Sequence, residues 1–92
     1  MSPEQWHHAL EAFQQPLNSD AGMVQYVIYD RPKDAPEHYV VRRWEVLRNG
    51  SLRDCEAFGY KRLEDARKII PSWATCVNRM PGDDPAILEV WI

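Results

Sequence analysis

The feature that most constrains the fold of this chain is a hairpin signal near its middle. Residues 39–47 (YVVRRWEVL) and 52–60 (LRDCEAFGY) show the alternation typical of β-strands, and Asn49-Gly50 stands between them. Asn and Gly readily adopt the positive φ angles that a two-residue type I′ turn requires. We therefore predict an antiparallel hairpin whose second strand, the more polar of the two, lies at an edge of a sheet.

The rest of the chain supplies further helices and strands on either side of this hairpin. Apolar residues with helical spacing follow Ser2-Pro3, and a second set with the same spacing ends before Pro71. Residues 81–85 (PGDDP) consist of residues that favour turns. We predict helices over 3–14 and 62–70, strands over 23–30, 39–47, 52–60, 73–80 and 86–92, and a turn over 81–85. This order favours an α+β fold: a two-layer, mostly antiparallel sheet of four or five strands with one helix packed on it, plus a short N-terminal helix.

Length and composition favour one domain over residues 1–92, with residues 1–22 as a helical arm and residues 23–92 as its core. The longest apolar run, Tyr26-Val27-Ile28-Tyr29, is far shorter than the roughly 18–20 residues that span a membrane. No signal peptide is visible at the N-terminus, so we expect a cytoplasmic protein with no membrane partner. Cys55 and Cys76 are then expected to be reduced thiols.

The sequence predicts no catalytic residue, no cofactor and no metal. His7 and His8 are adjacent and point about 100° apart on a helix, and the two cysteines lack the paired spacing of zinc ligands. Asp54 and Glu56 flank Cys55 and should raise its pKa. Cys76 stands in an apolar stretch and is expected to be a packing residue. The chain also lacks a glycine-rich phosphate loop.

One constellation remains as a candidate binding site, on the second and third strands. Charge is uneven along the chain: residues 38–68 hold eight Lys and Arg against five Asp and Glu, a net +3, whereas the other residues sum to −6. Arginines on a sheet can read the DNA major groove, and interleaved aromatic side chains can stack on single-stranded bases. Alternatively, Arg42 and Arg43 can pair across strands with Asp54 and Glu56. The candidate binding residues are Tyr39, Arg42, Arg43, Trp44, Arg48 and Arg53.

The chain resembles small bacterial proteins of unknown function in three strings, YVIYDRPKD, HYVVRRWEV and GDDPAILEVWI. This resemblance covers residues 23–92 and implies a stand-alone bacterial domain, with no activity, ligand or site residue attached to it. The strand-strand-helix order of residues 38–70 is also similar to that of the plant AP2-type domain, although the glycine and alanine signature of that family is missing here.

Two functions follow as hypotheses. Four tryptophans (Trp6, Trp44, Trp73 and Trp91) are difficult to bury together in 92 residues, and exposed aromatic side chains often mark interfaces. We therefore expect a non-enzymatic binding module whose partner is another protein or a second copy of the chain. The alternative is a sheet-type nucleic-acid-binding domain that uses the arginines of the second and third strands.

Overall fold

Five strands and two helices make up the computed structural model of the chain, which describes residues 3–13, 19–77 and 85–92. The strands form one antiparallel sheet in the order β3-β2-β1-β5-β4, which confirms the α+β class and the antiparallel sheet. No helix in the described ranges has the length and apolar character needed to cross a membrane. The elements are α1 (Pro3–Phe13), β1 (Ala21–Asp30), β2 (Tyr39–Leu47), β3 (Leu52–Tyr60), α2 (Leu63–Lys68), β4 (Cys76–Val77) and β5 (Ile87–Trp91).

The central strand of the sheet is β1, the most continuously apolar segment of the chain. Val24, Tyr26 and Ile28 point to one face and are buried in the main core, and Val27 points to the other face and is also buried. Burial on both faces is what a run of β-branched and aromatic residues favours. The polar strand β3 lies at an edge of the sheet, as predicted.

The main core lies between the two helices and one face of the sheet. From α1 it receives Ala9 and Phe13, and from α2 and the turn after it Ala66 and Ile69. The hydroxyl of Tyr26 donates a hydrogen bond of 2.8 Å to the carbonyl of Phe13, which ties the end of α1 to the central strand. Because both helices contribute to this core, the expectation of a single packed helix is not confirmed in that form.

The hairpin between β2 and β3 forms where it was predicted, with a different turn. Gly50 has φ of 91°, but Asn49 is not among the described residues with positive φ, so the turn is not type I′. The N–H of Leu47 instead donates to the carbonyl of Ser51 at 2.8 Å, which closes a three-residue connection with glycine in the left-handed position. The side chain of Asn49 accepts a hydrogen bond from the N–H of Ser51 and stabilises this loop.

The C-terminal part of the chain differs from the prediction in the residue at which its fourth strand begins. Trp73 lies in a turn after Pro71 and is 64% exposed, because the chain reverses there before it rejoins the sheet. The strand β4 has two residues, and backbone hydrogen bonds between Thr75 and Ile92 continue its pairing with β5. Residues 78–80 of the predicted strand and most of the predicted turn over 81–85 lie outside the described residues.

Candidate functional site

The six predicted binding residues do not converge on one surface. The pleat of β2 puts Arg42 and Trp44 on the face of the sheet that is opposite the helices. Tyr39 and Arg43 point to the helix side, where Tyr39 packs against the main core and Arg43 is 4% exposed. This division follows the alternation of residues along β2, in which Val41, Arg43 and Glu45 are the buried positions.

Arg42 is engaged in an ion pair on the open face. Its guanidinium donates a hydrogen bond of 3.0 Å to the carboxylate of Asp54 on β3, as predicted, and a second one of 3.4 Å to the carbonyl of Cys55. The guanidinium carbon also lies 5.8 Å from the centre of the Trp44 ring, within the range of a cation–π contact. These contacts fix the arginine against the sheet.

Arg43 does not pair with Glu56, and this part of the prediction is wrong. A bulge in β3 between the partners of Arg42 and Trp44 breaks the regular register at this point. The buried guanidinium of Arg43 donates to the carbonyl of Ala12 at 3.0 Å and lies 3.9 Å from Glu45. Glu56 is exposed, and its carboxylate lies 3.0 Å from the imidazole of His8 instead.

Arg53 belongs to the same charged cluster on the helix side. Its guanidinium lies 2.9 Å from the carboxylate of Glu45, which is 2% exposed, and 3.1 Å from that of Asp20. Its hydrogen bonds hold the pKa of Asp20 below its usual value. A phosphate group would have to displace two carboxylates to reach this arginine. Arg48 is exposed at the end of the hairpin and makes no ion pair with any described residue.

The open face of the sheet is mostly apolar, and we call it the Trp44 face. Cross-strand pairing arranges its side chains in four rows that run across the strands. The rows are Met23, Val46 and Leu52; Gln25, Trp44 and Asp54; Val77, Val90, Val27, Arg42 and Ala57; and Ile87, Tyr29, Val40 and Gly59. Both described helices pack on the other side, so neither of them covers this face.

Several apolar side chains of the Trp44 face are accessible. Leu52 is 60% exposed and Met23 is 37% exposed, and Trp44, Val40 and Val46 are partly buried. None of the three tryptophan side chains that the structure describes is fully buried, and Trp6 lies outside that set. Contiguous apolar surface of this kind is typical of protein interfaces.

The polar groups near the middle of the Trp44 face are largely satisfied within the chain. The indole N–H of Trp44 donates to the hydroxyl of Tyr29 at 3.2 Å, and Arg42 is paired with Asp54. Among the described residues, none forms a hydrogen bond with the half-buried amide of Gln25, which lies directly across from Trp44. A partner could therefore contact this surface mainly through apolar side chains and one hydrogen bond to the side-chain amide of Gln25.

Four residues of the Trp44 face were not predicted as parts of a site: Gln25, Tyr29, Val46 and Leu52. Alternation in β2 does place Val46 beside Trp44, and the signal was present to that extent. The other three residues join the surface only through the register of β1 and β3 against β2, which alternation within one strand does not determine.

The thiols show no sign of activation. Burial is the main cause that raises the pKa of Cys55, and Glu45 adds to it, so the predicted direction is confirmed with a different carboxylate. Burial also raises the pKa of Cys76. Cys76 is exposed on the short edge strand, so its expected packing role is wrong. The residues described here contain no group of three or more potential metal ligands, and the side chain of His7 lies outside them.

The Trp44 face combines apolar side chains with a few polar and charged ones. Its accessible apolar side chains lie on a rigid sheet, and its charges are paired within the chain. Comparison with known proteins adds no assignment to this geometry: no family model, no curated protein and no solved structure matches the chain.

Proposed function

We propose that this protein is a non-enzymatic binding module that docks a protein partner on the Trp44 face. The observation that carries the proposal is the one-sided packing of the sheet, in which both described helices lie against the face opposite Trp44. An apolar sheet face on a small domain gains free energy when another surface covers it, at roughly 25 cal/mol per Å². Trp44 near the middle of this face is an aromatic residue of the type enriched at binding hot spots.

The ion pairs of the arginines favour a protein partner over nucleic acid. Arg42 is held by Asp54, Arg53 by Asp20 and Glu45, and Arg43 is buried. Binding to phosphates requires cations that are free to replace the counterions of the nucleic acid. We keep sheet-type nucleic-acid binding as the alternative.

We place the module in the cytoplasm of a bacterium as part of the same proposal. The support for this location is the presence of two free cysteines, Cys55 and Cys76, which stay reduced in that compartment.

The proposal is tested by photocrosslinking in the cells that produce the protein. A photoreactive p-benzoylphenylalanine replaces Leu52 on the Trp44 face in one variant and Trp73 in a second one. The two positions are matched because Leu52 is 60% exposed and Trp73 is 64% exposed, and Trp73 lies outside the face. After irradiation, adducts are separated by mass and identified by mass spectrometry.

We expect covalent protein adducts from position 52 and few or none from position 73. The absence of adducts at position 52, or equal adducts from both positions, would overturn the proposal. Crosslinks from position 52 to nucleic acid instead of protein would favour the alternative.

A further inference from the structure

We infer that the partner covering the Trp44 face is a second copy of this chain, packed face to face about a two-fold axis. The inference rests on the proposed function and names its partner. Two sheets that pack in this way lie about 10 Å apart with their strands roughly aligned, as in a β-sandwich. Side chains near the middle of the face then meet their own copies.

The chemistry of the face is self-complementary. Its charges, Arg42 and Asp54, are paired within each copy at 3.0 Å, so contact between copies brings no unpaired like charges together. The indole N–H of Trp44 already has its acceptor in Tyr29. A partner of opposite charge gains little from such a surface, whereas an identical apolar surface matches it.

Gln25 gives the clearest indication that the partner is identical. Its amide lies on the central strand, directly across from Trp44, and no described residue hydrogen-bonds it. A primary amide both donates and accepts, so two copies of Gln25 can form a reciprocal pair across a two-fold axis. This pair satisfies a polar group that a purely apolar partner would leave buried and unsatisfied.

The size of the face fits a weak dimer. Three strands of nine or ten residues and two shorter ones give roughly 500 Å² of sheet area per copy, from about 3.3 Å per residue and about 4.8 Å between strands. Two copies then cover about 1,000 Å², which is the lower bound for a specific interface. The dimer should therefore belong to the weak interfaces and exchange with the monomer.

Sedimentation velocity of the purified protein tests the inference, from low micromolar to near-millimolar concentration. Gln25→Lys and Gln25→Glu place a charge at the centre of the face, and the half-buried position lets either side chain reach water in the monomer. Trp73→Lys introduces the same charge outside the face and serves as the control. Circular dichroism confirms that each variant is folded.

We expect the wild type and Trp73→Lys to dimerise with the same constant, and each Gln25 variant to bind itself about a hundredfold more weakly, because like charges meet. An equimolar mixture of Gln25→Lys and Gln25→Glu should dimerise again, because opposite charges then face each other. A wild type that stays monomeric, variants that dimerise normally, or a mixture that stays monomeric would each overturn the inference. A monomeric wild type that still crosslinks to a different protein from position 52 would refute the dimer and leave the proposed function standing.

Discussion

Removal of the buried carboxylate of Glu45 should be among the most damaging single substitutions in this protein. Glu45 is 2% exposed, and its carboxylate neutralises the guanidinium of Arg43, which is 4% exposed. The carboxylate of Glu45 also accepts a hydrogen bond from Arg53. Glu45→Ala leaves the guanidinium of Arg43 buried without its carboxylate, a change that costs about 3–5 kcal/mol. The free energy of unfolding of a domain this size is about 5–15 kcal/mol, so the variant should lose at least about a fifth of it.

Chemical denaturation in urea, monitored by circular dichroism, measures this loss. Asp54→Ala is the matched control, because it breaks the exposed pair with Arg42 and should cost only about 0.2–1 kcal/mol. The double variant Arg43→Met/Glu45→Met should recover much of the stability, because it removes both buried charges. A loss below about 1 kcal/mol for Glu45→Ala would refute the reasoning that this buried cluster depends on its carboxylate.

Three further predictions concern pH and the C-terminal strand. The hydrogen bond from Arg67 lowers the pKa of Glu89 below its ordinary value of 4.5, so this pair stabilises the protein above pH 4.5 and the stabilisation is lost as the pH falls. Glu89→Gln should therefore weaken the decrease of the unfolding free energy at acidic pH. An unchanged decrease would contradict this prediction. Burial raises the pKa of Tyr60 to about 12, so one tyrosine should titrate near that value in the folded protein. An absorbance titration in which every tyrosine ionises near pH 10 would refute this prediction. Deletion of residues 90–92 removes Trp91 from the core and should unfold or aggregate the protein, because burial of such side chains contributes roughly 1.5–3 kcal/mol each; melting within a few degrees of the wild type would show otherwise.

The order and type of the elements were predictable because each segment carries a local signal of its own. The central strand is mostly apolar, the helix over Leu63–Lys68 has acidic residues first and basic residues last, and Gly50 marks the hairpin. The strand predicted over 73–80 was placed too early in the chain, because β4 begins at Cys76 and not at Trp73. Its apolar alternation is a signal of strand, but the turn after Pro71 keeps Trp73 and Ala74 out of the sheet.

The partners of the charged residues were only partly predictable, because they depend on register. The pair between Arg42 and Asp54 depends on the three-residue connection, because the register that it sets places Asp54 opposite Trp44 and so on the same face as Arg42. Continued regular pairing would bring Arg43 opposite Glu56, but the bulge in β3 interrupts the register there. Arg43 also faces the helices, where the carbonyl of Ala12 is available, and the position of a helix end does not follow from a strand pattern.

The composition of the Trp44 face was also predictable only in part. Alternation identified Trp44 and Arg42 as neighbours on one face, which is the part of the candidate site that holds. It did not show that both helices pack on the opposite side, because helix periodicity does not specify which face of the sheet a helix covers. Because both described helices lie on the other side, Met23 and Leu52 stay exposed on the Trp44 face.

Hydroxyl-radical footprinting at two protein concentrations tests most directly whether the Trp44 face is covered by a second copy. Oxidation rates of Trp44, Met23 and Leu52 are compared with that of Trp73, which is 64% exposed and lies outside the face. The account predicts that all three face residues are protected at high concentration, while the oxidation of Trp73 stays the same. Unchanged oxidation of Trp44 on dimer formation, or protection of Trp73 in its place, would contradict it.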